Sequence, residues 1–254
     1  MNEQENKTPA NDVIAGRNAV MEALRSGRPI DSIYILKGAA KGPLGKIIAT
    51  AKKENIPVKD ATQQKLESLC GEVNHQGVAA LAACRDFSTM EDVMEAAGDQ
   101  PPFVVICDNI EDPHNLGAII RTAEAAGAHG VIIPKRHGVG LTATVAKTSA
   151  GAVEYMPVVR VTNIVNTIDE LKEKGFWIFC ADMDGDPWCQ ADMKGPIGVV
   201  IGSEGFGVSR LTKEHCDFVV SLPMKGHVNS LNASVAAGIV IYEAVRQRND
   251  IRAR

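Results

Sequence analysis

Residues 219–238 read VVSLPMKGHVNSLNASVAAG and crowd more polar side chains into one loop-to-helix junction than local structure requires. A β-type run meets Pro223, a glycine-containing loop follows, and Asn229, Ser230, Asn232 and Ser234 cluster where a small-residue helix starts. One capping residue satisfies a helix start, so four imply a binding surface of hydroxyls, amides and free backbone N–H groups. Two further segments carry complementary chemistry. In N-L-G-A-I-I-R, 115–121, Gly117 and Arg121 stand i, i+4 on one helix face, which clears space under a guanidinium for a phosphate or ribose. Asn115 suits a helix N-cap or a catalytic amide, and Arg121 suits a surface ion pair or an anion site. In G-S-E-G-F-G, 202–207, three glycines permit close backbone approach, and Glu204 is the one residue that a plain turn does not call for. The G-x-x-G-x-G order differs from the dinucleotide fingerprint and lies late in the chain.

The elements that must hold these segments alternate in type. From 103 onward the pattern gives strand 103–107, helix 117–126, strand 131–133, a segment near 143–150, helix 164–174, strand 176–180, strand 197–201, a short helix near 209–215, strand 219–222 and a final helix over about 233–248. Such alternation predicts an α/β fold with a parallel sheet covered on both faces, and ligands then bind beyond the carboxyl ends of the strands. All three motifs follow strands at that edge. Residues 13–86 form a smaller α/β pattern of three short helices and three strands. Residues 87–102 are acidic, end in Pro101-Pro102 and predict a linker with one helical turn, and 1–12 predict a disordered tail.

Together, in this order and spacing, the motifs resemble the signature of the SpoU (TrmH-like) RNA ribose 2'-O-methyltransferases of the SPOUT class, over residues 103–248. G-R-N-A-V-M-E-A-L at 16–24 and H-Q-G-V-A at 75–79 resemble the substrate-binding domain of the family's 23S ribosomal RNA guanosine subgroup. The resemblance implies a knotted methyltransferase domain over 103–254, with a deep C-terminal trefoil knot, and a small RNA-binding domain over 13–86. It implies S-adenosylmethionine as cofactor, no metal, and a homodimer joined through the last helix. It casts Asn115, Arg121, Glu204, Ser230 and Asn232 as catalytic. It places the cofactor on Ile201, Gly202, Leu222, Met224, Ser230 and Leu231, with Leu222 and Met224 lining an adenine pocket. RNA contacts fall on Arg17, Asn18, His75, Gln76, Lys135 and Arg136. Plain structural roles compete at several of these: core packing for Leu222 and Met224, a structural histidine at 75, and a solvated loop at 135–137. Arg121 is the family's proposed general base. A guanidinium stays protonated, so its charge would instead stabilise a developing alkoxide or fix a phosphate.

Composition sets the outer limits. The 254 residues hold one large domain or two ordinary ones. Aromatics make up 4%, so a stacking platform is an unexpected mode of RNA recognition. No apolar run reaches membrane-spanning length, and the first ten residues lack a secretory h-region. The cysteines at 70, 84, 107, 180, 189 and 216 show no C-x-x-C spacing and fit free thiols in a reducing cytoplasm. Net charge is −4, and it is uneven: residues 1–86 carry 12 basic and 10 acidic side chains, whereas 87–102 carry four acids and no base. RNA affinity must therefore come from a local patch.

The resemblance implies an enzyme that methylates a guanosine ribose in 23S ribosomal RNA, and the cysteine pattern and missing h-region fit a cytoplasmic setting for it. The alternatives are the same chemistry on transfer RNA or another ribosomal RNA, and a non-catalytic RNA-binding ribosome-assembly factor. A nucleotide-binding dehydrogenase stands third.

Overall fold

The computed structural model describes residues 12–39, 42–71, 73–82, 86–227 and 230–251. Cys84, Asn229 and residues 1–11 of the expected tail lie outside the described residues, while Asp12 already belongs to a strand. The chain divides into two compact units. One takes the chain through Asp86 together with Leu141–Glu154, and the other takes Phe87–Gly140 and Tyr155–Arg254.

The first unit runs β1 (Asp12–Ala15), α1 (Arg17–Arg25), β2 (Ile30–Leu36), α2 (Pro43–Lys53), β3 (Val58–Ala61), α3 (Gln63–Cys70) and β4 (Val78–Ala82). Its sheet has the order β1-β4-β2-β3; β4 is antiparallel to β1 and β2, and β2 is parallel to β3. Ile33 and Ile35 alternate onto one face, where they meet Val20 and Ile47 of the helices. Ala15, Ala79 and Leu66 fill the other face. A short helix at Ala143–Thr148, capped by Thr142, packs against β1 and α1. The expected contiguous division at 103 therefore differs from the packing. Ser149 is almost wholly buried within this unit, and a Cβ at Gly151 would strike Glu22 of α1.

The second unit starts earlier than the strand at 103. Residues 87–102, read from sequence as a linker, contain α4 (Met90–Ala97). Thr89 and Asp92 form a reciprocal capping box, and Val93 is wholly buried among Val104, Ile132 and Ile168. The acidic residues that suggested a spacer are the capped first turn of a packed helix. After α4 come β5 (Phe103–Cys107), α5 (Pro113–Ala125), β6 (Gly130–Pro134), α6 (the Ala143–Thr148 helix of the other unit), β7 (Val158–Val161), α7 (Ile164–Glu173), β8 (Trp177–Pro187), β9 (Ile197–Ile201), α8 (Arg210–His215), β10 (Phe218–Ser221) and α9 (Ala233–Arg248). All six strands run parallel in the order β10-β8-β9-β5-β6-β7. β5 and β9 are buried at every position, as central strands covered on both faces must be. α9 lies along α5, where Gly238 faces Thr122.

Five cysteines fall among the described residues, and all are free thiols. Burial pushes the Cys107 thiol up to about 12. Among the described residues no cluster of His, Cys, Asp and Glu has metal-binding geometry, and no helix is long and apolar enough to cross a membrane.

Candidate active site

The three motifs meet at the carboxyl ends of β5, β9 and β10. α5 begins at Asp112, not at Asn115: Asp112 Oδ1 accepts the His114 N–H at 2.8 Å, and Pro113 occupies the first turn, where its missing donor costs nothing. Asn115 is thereby released from capping and sits buried inside the first turn. Its Nδ2 donates to Glu204 Oε1 at 2.9 Å. Asn232 closes the triangle. Its Nδ2 donates to Asn115 Oδ1 at 2.9 Å and makes a very short contact with Glu204 Oε1. Its Oδ1 caps α9 through the N–H groups of Ser234 and Val235. One asparagine thus starts the last helix and holds the loop carboxylate, so neither can move without the other. Charge-assisted hydrogen bonds of this kind contribute roughly 1.5–3 kcal/mol each.

The loop at 202–207 is built for close approach. A Cβ at Gly202 would collide with the backbone of Gly207 and Val208, so no other residue fits there. Ser203 and Gly207 exchange backbone hydrogen bonds of 3.1 and 2.9 Å, and Gly207 takes a positive φ of 66°. Asp108, buried at the end of β5, accepts the Ser209 N–H at 2.8 Å and ties the far side of the loop to the central strand.

This loop separates two cavities. The smaller, about 300 Å³, is walled by Ile201, Gly202, Leu222, Met224, Ser230 and Leu231, with Asp182 and Met183 on its rim. All six residues assigned to the cofactor from sequence therefore line one space, whose volume suits a nucleoside-sized ligand. The larger, about 490 Å³, is walled by Asn109, Glu111, Asp112, Asn115 and His137. Ser203, Glu204, Gly205 and Phe206 belong to both walls. Ser203 Oγ is buried in that partition with no hydrogen-bond partner among the described residues.

Arg121 stands apart from the hydrogen-bonded triangle of Asn115, Glu204 and Asn232. It lies on α5, exposed, and lines neither cavity. The proposed RNA contacts are scattered. Arg17 and Asn18 open α1 and are exposed, and the Arg17 N–H donates to Gln76 Oε1 at 3.1 Å. His75 is buried, and its Nδ1 accepts the Gly77 N–H at 2.9 Å, which makes it a turn-forming residue and corrects its reading as an RNA contact. Lys135 and Arg136 are exposed in the loop after β6.

Sequence reading missed Asp182 and Lys213. Lys213 Nζ lies 3.3 Å from Asp182 and 3.6 Å from Asp184; burial opposes its charge, but the two carboxylates outweigh burial and raise its pKa. No spacing signal joins residues 31 positions apart. Asp112-Pro113 was a legible helix start, and Phe206 was legible only as a loop residue.

Comparison with known proteins follows this geometry. Residues 102–242 match the SpoU rRNA Methylase family, and residues 13–86 match the RNA 2'-O ribose methyltransferase substrate binding family. The chain belongs to the SpoU methylase family. A Bacillus subtilis protein, YacO, named for the TrmH family of tRNA/rRNA methyltransferases, is 46% identical over 94% of this chain and 97% of its own. A Staphylococcus haemolyticus protein named for the same family is 48% identical over the same shares. Among solved structures, the SpoU methyltransferase AviRb of Streptomyces viridochromogenes superposes with a TM-score of 0.79 at 25% identity, covering 95% of this chain and 91% of that one. Its complex with the cofactor AdoMet gives the same TM-score at 24% identity, over 98% and 95%. As a SpoU-family chain the protein is an RNA methyltransferase, and the Asn115–Glu204–Asn232 triangle lies where its two cavities adjoin.

Proposed function

We propose that this protein transfers a methyl group from S-adenosylmethionine to the ribose 2'-hydroxyl of a guanosine in 23S ribosomal RNA. The observation that carries the reading is the shared wall: two cavities lie back to back across Ser203 and Glu204, one mostly apolar and nucleoside-sized, the other carrying the Asn109, Glu111, Asp112 and Asn115 side chains. Ile201, Gly202, Leu222, Met224, Ser230 and Leu231 hold the cofactor, which when bound supplies an electrophilic methyl for in-line displacement. Asn115, Glu204 and Asn232 fix the wall between donor and acceptor, where positioning alone contributes roughly 7–11 kcal/mol. Ser230 closes the cofactor side. Arg121 supplies positive charge to the developing alkoxide or its neighbouring phosphate.

Residues 13–86 deliver the RNA, with Arg17, Asn18 and Gln76 at the start of α1, and Lys135 and Arg136 add phosphate contacts from the catalytic unit. The family match of this segment and its net positive charge support that role. The same reading includes the family's trefoil knot, a homodimer and a cytoplasmic setting. Free thiols support the last. The dimer is supported by an exposed stripe on α9, Val235, Ile239 and Tyr242, since Ala233, Ala237 and Ile241 are buried within the protomer.

Mapping 2'-O-methyl marks across ribosomal and transfer RNA from cells with and without the protein tests the proposal. The expected result is one guanosine mark in 23S RNA that depends on the protein. A mark lost only from transfer RNA would move the substrate, and no lost mark would leave a non-catalytic assembly factor as the better reading.

A further inference from the structure

Phe206 is 97% exposed. It sits at the tip of the 202–207 loop, between Gly205 and Gly207, and the Ser203–Gly207 hydrogen-bond pair holds that tip in place. An aromatic ring held out in water on a fixed loop forgoes the stabilisation of burial and presents a flat apolar face to whatever enters. It borders both cavities, the larger one among them. The lining of the larger cavity includes Glu111, an exposed residue whose carboxylate has no hydrogen bond or ion pair with a described residue. Asp112, beside it, is committed to capping α5. The wall is fixed: the Val139 N–H donates to Ile110 O at 2.9 Å, and a Cβ at Gly138 would crowd the Pro134 ring.

A phosphate does not suit a space bounded by Glu111, Asp112 and Glu204. A base edge rich in donors does. Guanine presents two adjacent donors on its Watson–Crick edge, N1–H and N2–H, which match the two oxygens of one carboxylate. Adenine, cytosine and uracil each set an acceptor beside their donor. Enzymes that act on a single nucleotide read an extruded base by such edge contacts and by stacking on an aromatic ring.

We propose that the larger cavity is the base subsite of the target nucleotide, that Glu111 reads guanine through N1–H and N2–H, and that Phe206 stacks on the base. The proposal rests on the methyltransferase reading above and gives it a source of guanosine selectivity. Glu111 is a specificity-determining residue in this scheme. Buried Ser203 Oγ and the Asn115 amide line the same cavity, toward the ribose.

The test is binding by the whole protein saturated with S-adenosylhomocysteine. Three fluorescein-labelled hexaribonucleotides are compared by anisotropy, with guanosine, inosine or adenosine at one place among adenosines. Guanosine is expected to bind about tenfold more tightly than inosine, which lacks the N2 amine, or adenosine. Glu111→Gln keeps the shape but replaces one acceptor oxygen with a donor. It should remove the preference by weakening guanosine alone, while S-adenosylhomocysteine affinity, read by calorimetry, is unchanged. Phe206→Ala should weaken all three oligonucleotides alike, because stacking tolerates any base. Equal affinity for the three, no measurable binding of the guanosine form, or a preference that survives Glu111→Gln would overturn the proposal. Methyl transfer to total ribosomal RNA by the wild-type protein is measured alongside: transfer without base preference sinks the subsite alone, and absence of transfer sinks the underlying reading.

Discussion

Asn115 and Glu204 stand 89 positions apart in the chain and meet through a single hydrogen bond of 2.9 Å across the edge of the sheet. Because Asn115 lines only the larger cavity, its loss separates acceptor chemistry from cofactor binding. Asn115→Ala should lower methyl transfer about 10²-fold or more and leave S-adenosylhomocysteine affinity within about threefold, a limit of roughly 0.6 kcal/mol. Asn115→Asp should be as damaging at neutral pH, since it sets a second carboxylate against Glu204. Transfer rates and calorimetry on the purified variants check both; equal loss of the two functions would show that Asn115 merely supports the fold.

Leu231 is the sharper probe of the other cavity. It lies at the cavity rim beside Ser230 and is only partly covered. Leu231→Glu adds a carboxylate at the rim of a cavity whose wall already carries Asp182 and Glu204. A bound nucleoside would have to cover that carboxylate, at a cost of several kcal/mol, so affinity for S-adenosylhomocysteine should fall by more than about 10²-fold. Calorimetric binding at the wild-type level would mean that the ligand lies elsewhere.

What was legible in the sequence depended on local periodicity. The strands at Phe103–Cys107 and Ile197–Ile201 and the last helix, Ala233–Arg248, have the bounds their apolar runs and caps dictate. Residues 87–102 were misread because a polar capping box and a spacer have the same composition. Only tertiary packing around Val93 separates them. β7 is four residues with one exposed position, too short to show a period. In the candidate site, Asn232 was legible as a cap and Glu204 as a surplus charge. That both bind Asn115 follows from strand order, which periodicity does not carry. Asp182 and Lys213 pair across separate elements and left no signal.

Packing of α4 revises the expected start of the second unit. A fragment beginning at Pro102 would strip Val93, Met90 and Met94 from the cluster around Ile132 and Ile168. Relative to a fragment beginning at Phe87, it should lose roughly 2–5 kcal/mol or fail to fold, by the scale of core truncations. Urea denaturation of the two fragments decides it; equal stability would restore 87–102 to the role of a linker.

His129 gives the fold an acid-sensitive point. Burial, reinforced by the charge of Arg248, holds its pKa below the ordinary value of 6.5. Its Nδ1 accepts the Phe103 N–H at 3.0 Å, which requires an unprotonated nitrogen. The unfolded chain therefore binds a proton more readily than the folded chain, and stability is lost as pH falls below 6.5 toward the depressed folded value. Above 6.5 this contribution is fully present. His129→Gln, whose amide oxygen can accept the same N–H, should flatten the decline of the urea midpoint between pH 7 and about pH 5. A decline as steep as in the wild type would assign it to other groups. The Arg246 guanidinium holds Glu243 below its ordinary value of 4.5, so its contribution is present above 4.5 and is lost only as the pH falls below that toward the lowered folded value.

Arg121 stands six residues beyond Asn115 on α5, about 9 Å along the axis, and lines neither cavity. It neighbours Thr122, which faces Gly238 of α9, and the exposed stripe of Val235, Ile239 and Tyr242 runs along that same helix. If the proposed dimer forms through that stripe, an exposed guanidinium on the helix packed against α9 can serve the partner's site across a two-fold interface. Arg121→Ala should abolish transfer and spare cofactor affinity. Arg121→Lys should retain measurable activity if charge alone matters, and little if the planar fork is needed. Mixing decides in which subunit the arginine acts. When Arg121→Ala and Asn115→Ala proteins are unfolded together and refolded as mixed dimers, half the dimers are hetero-dimers. In each of these, one site combines an intact Asn115 with an intact Arg121 from its partner. Activity should return to about a quarter of the wild-type rate, the share of sites that a two-fold dimer makes whole. If the arginine works in its own protomer, every site in the mixture carries one lesion and no activity returns. Ile239→Glu, placed in the stripe, should give a protein of half the dimer mass by light scattering and remove transfer with it; an active monomer would assign Arg121 to its own chain.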